Sequence, residues 1–158
     1  MKEKKQEKAN ALRLLDYNNI NYIIHEYDNT ITDGMVVSKL INKDPNSVFK
    51  TLVTVSNNNI HYVFMVPVCE SLNLKKAGIA SNSKSIEMIK QKELLPLTGY
   101  IHGGCSPIGM KKEFKTFIDE SAQLFDTICF SGGRVGLNIE MDPLELADFI
   151  KGTFVSLC

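Results

Sequence analysis

Two strand-like runs, Val48 to Val55 and Ile60 to Val68, are separated only by Ser56-Asn57-Asn58-Asn59. Asparagine tolerates the left-handed conformations that tight reversals need, so this spacing predicts an antiparallel hairpin. Around it the pattern keeps switching period. Apolar residues at Ala9, Leu12 and Leu15 predict an amphipathic helix over Lys2 to Tyr17, ended by Asn18-Asn19. Tyr22 to His25 reads as a short strand, and Asp33 as the N-cap of a helix carrying Val36, Val37, Leu40 and Ile41. Ser71 to Ala80 and Ser83 to Lys90 read as short helices. Strands are expected at Phe114 to Ile118, Thr127 to Phe130, Gly136 to Ile139 and Phe154 to Leu157. Asp142-Pro143 opens a helix through Ile150, with Asp at the N-cap and Pro at N1. Short helices alternating irregularly with hairpins define an α+β fold with a mixed, mostly antiparallel sheet.

The chain has 158 residues, 44% hydrophobic and 23% charged. That length is one domain by prior, expected over 1–158, and buries roughly 70% of its unfolded surface. It needs neither disulfides nor a structural metal. Lys and Arg total 18 against 18 Asp and Glu, a net charge of zero. A disordered chain and a general polyanion binder such as a DNA-coating protein are therefore both disfavoured. No run approaches the roughly 18 apolar residues of a membrane span, and the polar N-terminus lacks a secretory signal. Cys69, Cys105, Cys129 and Cys158 form no C-x-x-C, and the three histidines are scattered. The expectation is reduced thiols, a cytoplasmic location, and no metal or cofactor.

Two glycine-rich segments remain, Gly99 to Gly109 and Ser131 to Gly136. Neither has the spelling of a nucleotide phosphate loop. Paired glycines instead expose backbone, which can approach a ligand closely and aim N–H groups at an oxyanion.

Their order and spelling, G-Y-x-x-G-G-x-S-P-x-G-x-K-K followed by S-G-G-[KR]-x-G-L-x-I-E, resemble the YbaK/EbsC family. These are free-standing editing proteins related to the editing domain of bacterial prolyl-tRNA synthetase. The similarity extends to V-[FY]-K-T-L at Val48 to Leu52, V-P-V at Val66 to Val68 and the lysine run at Leu72 to Lys76, nearly the whole chain in order. The resemblance implies a mixed sheet curled into a barrel-like core with helices around it. It also implies hydrolysis of the ester between a mischarged amino acid, cysteine in this branch, and the 3′-terminal ribose of proline tRNA. The implied partners are that tRNA end and the prolyl-tRNA synthetase. In the family the substrate thiol attacks its own ester carbonyl while backbone amides hold the oxyanion. Carried over, Lys50, Gly103 and Gly104 are the catalytic positions. Tyr27, Ser106, Pro107, Ser131, Gly132 and Asn138 are the substrate-binding ones. A sibling deacylase of another residue, such as alanine, and a non-catalytic tRNA-binding module are the alternatives.

The chain departs from the family spelling at Asn138, where Asp is usual, and at Val135, where a basic residue is common. His102 and Cys105 sit three apart and invite a nucleophile-and-base reading, but cysteine there serves equally as a small hydrophobe. Lys111, Lys112 and Lys115 offer a basic rim beside the loop, whereas Glu140, Asp142, Glu145 and Asp148 make the C-terminal region acidic.

Overall fold

The computed structural model describes residues 8–158, so positions 2–7 of the expected first helix lie outside the described residues. Helix α1 occupies Asn10–Tyr17 and turns Ala11, Leu12 and Leu15 inward, the face that the apolar spacing predicts. The hairpin forms as expected: β2 (Phe49–Ser56) pairs antiparallel with β3 (His61–Pro67), and Asn59 adopts φ of 62° in the connection.

The strands divide into two sheets. A three-stranded antiparallel sheet has β1 (Ile23–Glu26) and β6 (Ile128–Ser131) on either side of β7 (Leu137–Met141). A five-stranded sheet runs β4 (Ile86–Met88), β2, β3, β5 (Lys115–Asp119), β8 (Thr153–Val155), with β3–β5 and β5–β8 parallel. One parallel bridge, Val48 to Cys129, joins the sheets, and among the described residues the ladders do not close into a barrel.

The main core lies between the two sheets. Leu137, Ile139 and Met141 of β7 with Ile128 and Phe130 of β6 meet Phe49, Met65 and Ile118, and α1 closes one side. The outer face of the large sheet buries Phe64, Val66 and Phe117 beneath α3 (Leu74–Ala80) and the tail residue Leu157. Strand β3 is thus covered on both faces, which explains its unbroken apolar run.

Helix α2 (Gly34–Leu40) is capped by Asp33, whose side chain accepts from the Met35 N–H, and α5 (Pro143–Ile150) by Asp142 with Pro at its start, both as expected. Asn73 caps α3, which starts it at Leu74 rather than Ser71. The expected helix at Ser83 to Lys90 is a correction. Its centre is strand β4, paired with Thr54–Ser56 of β2, because Ile86 is buried on the outer face of the sheet and the backbone completes an exposed edge. The helix comes next, α4 at Gln91–Thr98. It begins with the Lys90 N–H donating to Glu93 Oε2 at 3.1 Å and ends at Gly99, which takes φ of 83°. A 3₁₀ turn at Glu120–Leu124, which periodicity does not reveal, is capped by Asp119. The closing strand lies at Thr153–Val155, slightly before the expected Phe154 to Leu157. No helix of the described residues is long and apolar enough to cross a membrane.

Candidate active site

Alternation along the small sheet separates its two faces. His25 stands opposite Asn138, which stands opposite Ser131; Glu140 stands opposite both Ile23 and Cys129. Directly opposed residues share a face, so His25, Asn138, Ser131, Glu140 and Cys129 project together, away from the core face of Leu137 and Ile139. This is a polar face, unusual in being largely buried. Asn138 and Glu140 are 5% and 7% exposed.

The Ser131–Asn138 end of that face forms one wall of a cavity of about 350 Å³. The opposite wall is β2, which β4 covers only from Thr54 onward, leaving Phe49 to Leu52 as an edge beside the cavity. The loop after α4 supplies His102, Gly103 and Cys105, and the start of α2 supplies Asp33 and Gly34. The volume is near the lower end for small-molecule sites, of order 300–1,000 Å³.

Of the residues expected at the site, Tyr27, Lys50, Gly103, Ser131 and Asn138 line this one cavity, although they come from five separate stretches of chain. Gly104, Ser106, Pro107 and Gly132 do not line it. Gly104 lies behind the loop, where an added Cβ would come within 3.0 Å of the Arg134 and Val135 backbone. The two glycine segments thus pack main chain against main chain. Ser106 is fully buried, its Oγ accepting from the Ile108 N–H at 3.3 Å to hold the loop's return. Gly132 donates to the Leu137 carbonyl at 2.9 Å and closes the β6–β7 connection. Pro107 borders a second cleft of about 650 Å³, together with Lys112 and Lys115. Two of the three lysines of the expected basic rim therefore face this second cleft, while Lys111 packs beside Gly99.

The loop's tip is a turn in which the Gly104 N–H donates to the Ile101 carbonyl at 3.0 Å and Gly103 has φ of 83°. That conformation favours glycine. Tyr100, 8% exposed, braces the loop from inside by donating its hydroxyl hydrogen bond to the Ile108 carbonyl.

Two polar atoms at the cavity are buried without a hydrogen-bond partner, Thr51 Oγ1 and Asn138 Oδ1. The other end of the Asn138 amide donates to the Tyr27 hydroxyl at 3.2 Å. Burial raises the Tyr27 phenol above its usual range, partly offset by this bond. Burial pushes the Cys105 thiol up to about 12, so near neutrality it is protonated and poorly suited to act as a nucleophile. Lys50 forms no ion pair among the described residues.

Among the described residues, one group brings metal-ligand atoms together: His25, Cys129 and Glu140 lie within 4.8 Å of one another. The Lys43 ammonium already takes the cation's place there, 2.9 Å from Glu140 Oε2. Sequence reasoning missed this cluster and Thr51. Thr51 was legible only as a neighbour of Lys50, and Glu140 reads in sequence as one more surface acid.

Sequence comparison identifies the family of this chain. The chain belongs to the aminoacyl-tRNA editing domain family, whose model matches residues 31–149. Among individual relatives, it is 39% identical over 160 aligned positions to EbsC of Enterococcus faecalis (strain ATCC 700802 / V583), covering 99% of this chain and 96% of that one. EbsC is named as a candidate Cys-tRNA(Pro)/Cys-tRNA(Cys) deacylase. The fold matches the crystal structure of a candidate trans-editing enzyme for prolyl-tRNA synthetase, with TM-score 0.81, 20% identity, and 93% and 91% of the two chains covered. It also matches hypothetical protein APE2540, with TM-score 0.86, 17% identity, and 92% and 97% covered.

Proposed function

We propose that the cavity hydrolyses the ester joining cysteine to the 3′-terminal ribose of mischarged proline tRNA, with residues 1–158 acting as one editing unit in the cytoplasm. The convergence of Lys50, Gly103, Ser131 and Asn138 on one small cavity carries this reading. Cys105, the one thiol among the described residues lining the cavity, is held protonated by burial. The substrate's own thiol is the nucleophile. Its sulfur bonds to the ester carbonyl carbon, the carbon–oxygen bond to ribose breaks, and the thiol proton ends on the ribose hydroxyl. Water then opens the resulting thiolactone to free cysteine. Enforced proximity and oxyanion stabilisation supply the rate.

Among the loop amides, Gly104 already donates to Ile101, so the oxyanion's donors are drawn from Gly103 and Cys105, which have no acceptor among the described residues. Lys50, on the strand edge, meets the phosphate side of the tRNA terminus, and Ser131 and Asn138 meet the aminoacyl group. Zero net charge fits a protein that grips a single RNA end, delivered by the synthetase, more than one that coats a nucleic acid.

The test is ester loss from Cys-, Ala- and Ser-tRNA(Pro). Cysteine should be released far faster than serine. Equal loss of the two overturns thiol assistance, preference for alanine moves the assignment to the sibling activity, and no loss from any overturns deacylation.

A further inference from the structure

Along β1 and β7 the same diagonal contact occurs twice in succession. The Tyr27 hydroxyl meets the Asn138 amide at 3.2 Å, and one rung further on His25 Nε2 meets Glu140 Oε1 at 2.7 Å. Residues two apart in a strand project from one face, so the cavity pair and the Glu140 pair are neighbours on a single surface. The Glu140 side chain is 8% exposed and also receives hydrogen bonds on Oε2 from Lys43 Nζ at 2.9 Å and Thr127 Oγ1 at 2.6 Å. One carboxylate therefore ties β7 to β1, to the segment after α2, and to the residue leading into β6. Strand β1 leads into Tyr27 and the last of these into Ser131, and the segment after α2 follows the helix whose start supplies Asp33 and Gly34 to the cavity.

By contrast, Asn138 is weakly restrained, with one hydrogen bond on its nitrogen and none on its oxygen. The backbone that carries it must set its orientation. We propose that Glu140 is a positioning residue of the cavity, fixing Asn138 and Tyr27 in the geometry in which they meet the aminoacyl group. This rests on the deacylase reading for its activity readout but not for its structural one.

Glutamine is a sharp probe at this position. Lys43 can only donate to it, and the amide would replace one accepting oxygen with a donor. The experiment compares wild type, Glu140→Gln, Asn138→Ala and the double variant, using single-turnover release from Cys-tRNA(Pro), thermal unfolding, and the ¹⁵N–¹H signals of the Asn138 side-chain amide. Glu140→Gln should lower the rate about tenfold or more with little change in KM, as expected when a reacting group is misplaced. In the Asn138→Ala background the same change should alter the rate less than about twofold, while its cost in Tm persists. A merely structural role would instead reduce the rate by the same factor in both backgrounds, and that result overturns the proposal. An unchanged rate in folded Glu140→Gln overturns it too. If Glu140→Gln does not fold, Thr127→Val removes one donor and keeps the carboxylate; the Asn138 amide signal must then shift, and an unmoved signal counts against Glu140. If the wild-type protein releases no cysteine, the deacylase reading fails. The Asn138 signal in Glu140→Gln still decides the positioning role.

Discussion

The Asn138 side-chain amide is held at one end only, donating to the Tyr27 hydroxyl at 3.2 Å while its oxygen is buried beside the cavity without a partner. Removing the hydroxyl in Tyr27→Phe leaves both ends unpaired. A buried polar group stripped of its partner costs ~1–3 kcal/mol, so this variant should unfold at lower urea. Asn138→Leu removes the polar group altogether. It should be less destabilising than Tyr27→Phe, yet should slow deacylation of Cys-tRNA. Urea midpoints measured beside turnover check the pair.

The paired glycines play different parts. A Cβ on Gly104 meets Arg134 and Val135 main chain at 3.0 Å, where no flexible side chain can yield. Gly104→Ala should part the two loops, costing ~1–3 kcal/mol and most of the activity. A Cβ on Gly103 instead meets Thr32 Cγ2 at 2.7 Å, in a backbone with φ of 83°. Thr32→Ser removes that methyl, so adding it to Gly103→Ala should recover part of the stability. A left-handed penalty of about 1–2 kcal/mol should remain, and thermal unfolding of the single and double variants shows whether it does.

How much of this was legible in the sequence follows from the range of the interactions. The hairpin, the Asp33 and Asp142 caps and the inward face of α1 depend on neighbours a few residues away, and local pattern found them. Strand β4 has a helical look in sequence because its three residues owe their conformation to a partner edge about thirty positions earlier. The same holds at the site. Lys50 and Gly103 carry motif spelling, and they line the cavity as expected. The buried Glu140 network joins positions 25, 43, 127 and 140, and only the strand register brings them together.

The thiols should respond unequally to reagents. Cys69 is exposed, whereas Cys105 and Cys129 are buried and each held up to about 12 by burial. Only a small fraction of either is thiolate at neutral pH, so a disulfide reagent should modify Cys69 quickly and those two only as the protein opens. Cys105→Ser should keep deacylation near the wild-type rate. A loss of two orders of magnitude in a folded Cys105→Ser variant would instead restore the nucleophile reading of His102 and Cys105.

Acid should unfold the protein through Glu140. Burial alone would raise this carboxyl, but hydrogen bonds from Thr127, His25 and Lys43 outweigh it and hold the group down to about 2, from an ordinary 4.5. Between those values the unfolded chain takes up a proton that the folded one refuses, so stability rises with pH across that window. It is fully present above about 4.5 and is lost as pH falls toward 2. The slope from one such group is at most about 1.4 kcal/mol per pH unit. Lys43 works in the opposite direction: the Glu140 hydrogen bond raises its ammonium, so its share is lost only in alkali. Glu140→Gln cannot titrate, and its unfolding free energy should flatten between pH 4.5 and 2. Urea unfolding of both proteins at several pH values through that window reads the difference in slope, independent of any uniform loss of stability. Parallel curves would show that the carboxylate is not the group whose protonation weakens the fold.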